Sequence, residues 1–137
     1  MTVRATIALL CAALLAVGVA ACGNTVSTAS FKGEQQKVAQ TVAHLQSHAT
    51  ALEAKKICGE DFAAANVARL NAAPGGCKQA LESQLKEIDS FEASVESVQI
   101  AGNKATAHVK GIVGGKKAVQ VMTLVKEDGK WKVSAVS

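Results

Sequence analysis

Leu124-Val125-Lys126-Glu127-Asp128-Gly129-Lys130-Trp131-Lys132-Val133 reads as an apolar strand, a two-residue turn and a second strand. Asp-Gly between two such runs is a strong hairpin signal, because a type I′ turn needs positive φ at both central positions. Working backward, Gly114-Gly115 separates Ala118–Val125 from Ala105–Val113, and Gly102-Asn103 separates that run from Val95–Ile100. Trp131–Val136 completes the set. Four strands joined by three tight turns predict an antiparallel meander. Ala118–Val125 is apolar on both faces, with Val119, Val121 and Val125 on one and Ala118, Met122 and Leu124 on the other. It is therefore expected to be a central strand covered on both sides.

Before Phe91 the period changes from 2 to 3.6. Phe31, Val38, Val42, Leu45, Ala49 and Leu52 define one helical face, with Ser30 as expected N-cap and Glu34 in the first turn. Thr50-Ala51-Leu52-Glu53 matches a capping box. It marks the end or a kink of the first helix and the start of a short second one through Cys58. Glu60 to Asn71 suits a further helix, with Phe62, Val67 and Leu70 as its larger apolar groups. Asn71 to Gly76, which holds the only proline, is a breaker, and Cys77 to Asp89 resumes helical spacing through Ala80, Leu81, Leu85 and Ile88. Helices followed by strands argue an α+β class, with the helices packed on one sheet face.

The chain opens with Met1–Arg4, a short basic segment, and then a run from Ala5 to Val19 that is apolar apart from Thr6. At 15 residues this run is shorter than the roughly 20 a membrane-spanning helix needs, and it fits a cleaved secretory signal. Val19-Ala20-Ala21-Cys22 resembles the lipobox of bacterial lipoproteins. That resemblance implies cleavage before Cys22 and at least two acyl chains on it, palmitate included, enough for stable anchoring at about 0.8 kcal/mol per buried methylene. An ordinary small-residue cleavage site that leaves Cys22 unacylated is the alternative. Residues 1–21 are thus expected to be a signal peptide, 22–30 a lipidated cysteine with a polar tether, and 31–137 the folded domain. The expected address is the extracytoplasmic face of the cell membrane.

Of the four cysteines, Cys11 leaves with the signal and Cys22 is the lipid site. Cys58 and Cys77 remain as an even pair in an oxidising compartment, for which a disulfide is the natural reading. Two reduced thiols or half of a metal site are the alternatives, and the spacing supplies no further ligands. A redox role would call for Cys-x-x-Cys, which is absent.

The formal charge of +4 drops to +3 without Arg4, and the basic residues are scattered, apart from Lys55-Lys56 and Lys116-Lys117. There is no basic stripe with interleaved aromatics: the chain has no tyrosine, one tryptophan and three phenylalanines. Composition and address together argue against nucleic-acid binding.

The stretch Leu124–Val133 resembles the last hairpin of small lipoproteins in the nuclear-transport-factor-2-like superfamily. Ile57-Cys58 and Gly75-Gly76-Cys77, between a long first helix and the strands, are similar to a bacterial subset of it. The likeness covers Phe31 to Ser137. It implies a cone-like fold, with a curved four-stranded sheet wrapping the first helix and a pocket between them. The expected function is non-catalytic binding of a small apolar ligand or of an envelope protein. No cofactor is expected, and the ligand-binding residues are not readable.

Candidate chemistries are few. His44-Leu45-Gln46-Ser47-His48 has the i, i+4 spacing of a zinc helix, but Leu45 stands where a metalloprotease needs glutamate, so a metal is not expected and the histidines read as solvated. Gly111 to Lys117 superficially resembles a phosphate loop, but it lacks Ser or Thr and joins two strands. The superfamily includes isomerases and cyclases. With no tyrosine available, His108 and Asp61 are the remaining acid–base candidates for such an enzyme. His108 shares a strand face with Thr106, Lys110 and Ile112, and Asp61 follows Glu60 at an expected helix start, where acids favour the dipole. Trp131 reads as packing rather than as a ligand platform.

Overall fold

The computed structural model describes residues 28–88, 91–113 and 115–137. The signal segment and Cys22 lie outside the described residues, as does Asp89. The element order is α1 (Gly33–Thr50), α2 (Ala54–Lys56), a π-helix (Ile57–Asp61), α3 (Ala64–Asn71), α4 (Gly76–Lys86), then β1 (Phe91–Ala101), β2 (Lys104–Val113), β3 (Lys116–Glu127) and β4 (Lys130–Val136). The strands form one antiparallel meander in the order β1-β2-β3-β4. This is the expected α+β class.

The turns follow the sequence signals. Asp128 and Gly129 both have positive φ, 49° and 76°, as a type I′ hairpin requires. Their strands pair from Glu127 opposite Lys130 to Met122 opposite Val136. Register shifts between Val95 and Ser97 in β1, and between Thr123 and Leu124 at the β3–β4 pairing, bend the sheet. The concave face presents Val95, Val98, Ala105, Ala107, Val109, Met122, Leu124, Trp131 and Val133 to the helices. Against it α1 buries Val38, Ala39, Val42 and Leu45. Full burial of a Val or Leu side chain contributes about 1.5–3 kcal/mol, so this layer dominates stability.

The convex face is left to solvent. Val119 is 61% exposed, and Val121 and Val125 are only half-buried. The expectation that β3 is covered on both sides is therefore corrected. All helices precede the sheet and gather on one face, and the other carries Thr106, His108, Lys110 and Thr123 among its valines.

Three details of the helical half also differ from expectation. Lys32, not Ser30, occupies the N-cap of α1, and no side chain caps it. Leu52 does not reach the core: it takes φ 58° in the turn that ends α1 and is 54% exposed. The Thr50 hydroxyl donates to the Gln46 carbonyl at 2.9 Å instead of capping a new helix, and α2 begins only at Ala54. The periodic pattern ran one turn too far because a reversal needed Leu52 more than the core did.

The π-helix, absent from the sequence reading, ends at Asp61. Phe62 then turns extended and makes a parallel bridge to Val133, and the Ala63 amide donates to the Val133 carbonyl at 2.8 Å. This covers the outer edge of β4. Cys58 and Cys77 are disulfide-bonded, with Cα atoms 6.2 Å apart, tying the π-helix to the first turn of α4. The Asn71 side chain accepts from the Cys77 amide at 2.9 Å, closing the breaker segment. Among the described residues no helix is long and apolar enough to cross a membrane.

Candidate functional site

Two cavities flank α1. The first, about 500 Å³, opens where the end of α1 meets the start of β1, the end of β2 and the start of β3. Gln46, Ala93, Gly111, Ile112, Ala118 and Val119 form its walls, with Lys110 and Lys117 at its margin. Glycine is needed at 111, where β1 and β2 come close: a Cβ there would stand 2.5 Å from the Glu92 carbonyl oxygen. Gln46 follows the core residue Leu45 on α1 and is 4% exposed, so it brings a buried amide to a wall that is otherwise mainly aliphatic. Sequence reasoning passed over Gln46 because a polar residue beside a core position normally reads as solvated flank.

The second cavity, about 550 Å³, lies on the other flank of α1, among Lys37, Thr41, His44, Asp61, Trp131 and Lys132. Its floor is more polar. Asp61 is 2% exposed, and its Oδ2 is hydrogen-bonded to His48 Nδ1 at 2.7 Å. Burial pushes the Asp61 carboxyl above its ordinary value, against the opposing pull of the hydrogen bond and charge of His48. The expected place of Asp61 at a helix start is corrected: it closes the π-helix, whose wider turn directs it inward. His48 is not a solvated flank residue either, since its side chain is only 16% exposed. His44 is exposed, with its ring centroid 6.3 Å from that of His48.

His108 sits half-buried on the convex face, opposite Ser97 and Val121. Asp61 lies on the helical side of the sheet, so the two acid–base candidates do not converge. Trp131 is 4% exposed and its Nε1 donates to Glu34 Oε2 at 2.9 Å, with Lys126 Nζ 2.8 Å from the same oxygen. These contacts hold Glu34 well below the usual carboxylate range, at about 2, the Lys126 hydrogen bond contributing most. The tryptophan is packed in the core, and its ring nitrogen holds Glu34.

The family described as "Putative lumazine-binding" matches residues 41–136. The chain belongs to that family, and the match runs from the middle of α1 through β4, taking in the first cavity and all of the second but its Lys37 and Gln40 side. Among solved structures the chain is similar to a protein named Rd1NTF2_05 in a five-substitution form, at 18% identity, covering 74% of this chain and 93% of that one with a TM-score of 0.49. It is also similar to an NTF-2-like protein of unknown function from Silicibacter pomeroyi DSS-3, at 12% identity, covering 72% and 94%, with a TM-score of 0.42. No curated protein matches the chain.

Proposed function

We propose that this chain is a non-catalytic binding protein, held at the extracytoplasmic face of a membrane by acyl chains on Cys22, that takes a small flat ligand in the cavity beside Gln46. The observation that carries the reading is that cavity. Its volume of about 500 Å³ falls within the range of small-molecule sites, and its lining is mainly aliphatic with one buried amide, joined by Glu92, Ser94, Lys110 and Lys117. Such a wall suits a ring system with apolar faces and a hydrogen-bonding edge, the chemistry of lumazine in the family's description. The lipobox-like Val19–Cys22 supports the anchor, and the disulfide fits an oxidising compartment.

Lumazine fluorescence titrated with the full chain tests the site. Saturable binding is expected, and Ala118→Trp, which fills the cavity from β3, should abolish it while the far-UV spectrum stays unchanged. No saturable signal, together with no small molecule in a solvent extract of the purified protein, would remove the ligand from the reading. Binding undiminished in Ala118→Trp would place it elsewhere.

A further inference from the structure

We propose that His44 and His48 form a two-histidine site for a divalent transition-metal ion, with Asp61 as a positioning residue behind His48. The two histidines stand one helical turn apart on α1, on the same face, with ring centroids 6.3 Å apart. The Asp61 carboxyl holds His48 from behind, its Oδ2 2.7 Å from Nδ1; with Nδ1 as the donor, Nε2 carries the lone pair for a metal. A carboxylate on the far nitrogen is the arrangement that orients metal-ligating histidines and raises their basicity. Asp61 is buried and tied to the disulfide-braced π-helix, so this orientation is built into the fold rather than into a mobile side chain.

The surroundings allow a cation. Three lysines line the same cavity as His44: two are engaged, and Lys130 is exposed at the start of β4. Lys37 Nζ is 2.6 Å from Glu34, and Lys132 Nζ donates to the carbonyls of Gly59 and Glu60. Glu60 lines that cavity too, and its charge adds negative potential. Among the described residues no group of three or more His, Cys, Asp or Glu is arranged to hold a metal. The site therefore has two protein ligands, and its remaining positions fall to water or to a carboxylate-bearing small molecule. Imidazole donors suit Cu²⁺, Ni²⁺ and Zn²⁺, and the order of intrinsic affinity places Cu²⁺ first.

The test is calorimetric titration of the full chain with Cu²⁺ and with Zn²⁺ at neutral pH, joined to paramagnetic resonance of the Cu²⁺ form. One ion per chain is expected, with Cu²⁺ tighter than Zn²⁺ and two imidazole nitrogens coupled to the copper. His44→Gln, an exposed change that does not threaten the fold, should weaken Cu²⁺ about tenfold or more and leave one coupled nitrogen. Asp61→Asn should also weaken it by about tenfold, as removal of an outer-shell partner does. His108→Gln, on the convex face, should change nothing. Absence of saturable Cu²⁺ binding, or unchanged affinity and nitrogen coupling in His44→Gln, would overturn the proposal.

Discussion

His48 Nδ1 and Asp61 Oδ2 are 2.7 Å apart, a hydrogen bond that joins the last full turn of α1 to the end of the π-helix. The Asp61 side chain is 3% exposed, so almost no solvent reaches it. The bond makes the chain reversal after Thr50 a fixed corner rather than a hinge. Its partner on the other side is Lys132, which ties the Gly59 and Glu60 carbonyls to β4.

His48→Ala removes the partner and leaves a buried carboxyl unsatisfied, which costs about 1–3 kcal/mol. His48→Gln restores a donor and should recover part of that loss. Urea unfolding of the three proteins checks this. Equal midpoints for all three would mean that the hydrogen bond contributes nothing net. The pH dependence of this site has a definite sign. Burial raises the carboxyl of Asp61, so the folded chain holds its proton longer than the unfolded one. Its contribution to stability then falls as pH rises above 3.8, the unfolded value, through the raised one.

Glu34 acts in the opposite direction. Hydrogen bonds from Lys126, Lys37 and Trp131 lower it from 4.5 to about 2. The stabilisation is complete above 4.5 and is lost as pH falls through about 2, because the unfolded state takes up the proton first. Glu34→Gln should therefore flatten the acid limb of stability against pH over that window. Thermal melts of both proteins across it supply the measurement. Parallel acid limbs would show that the group does not titrate as its contacts require. The carboxylate is part-exposed, so solvent screening keeps the effect small, and added salt should reduce it further.

The Cys58–Cys77 disulfide has a sequence separation of 19 and staples the part of the chain with the weakest helical propensity. In the chain-entropy model, closing such a loop contributes about 3 kcal/mol. Replacing both cysteines with serine should lower stability by about that amount, read as a shift in urea midpoint. Intact-mass analysis of the protein from its native membrane checks the covalent state. A chain starting at Cys22, heavier by its acyl groups and gaining two hydrogens on reduction, is expected. An unacylated mass would make the domain a secreted one.

The sheet was readable in the sequence because each signal there is local. Gly102, Gly115 and the Asp128-Gly129 pair set the turns through φ alone, and strict alternation sets which side chains share a face. The first helix was readable for the same reason, from Val38, Val42 and Leu45 at helical spacing. Local chemistry could not say which sheet face the helices would cover, so Val119 looked like core. Nor could it foresee the π-turn, since nothing in Ile57–Asp61 differs from an ordinary helix until β4 and the disulfide hold it.

The sequence by itself determined the α+β class, the meander order and the candidate disulfide pair. Each rests on neighbours along the chain or on a count of residue types. Only the tertiary structure decided that Gln46 walls a cavity, that Asp61 pairs with His48 and not with His108, and that Glu34 meets Trp131. The partners in these pairs are separated by 13 and 97 positions, and burial alone turns them from ordinary surface polar groups into a site.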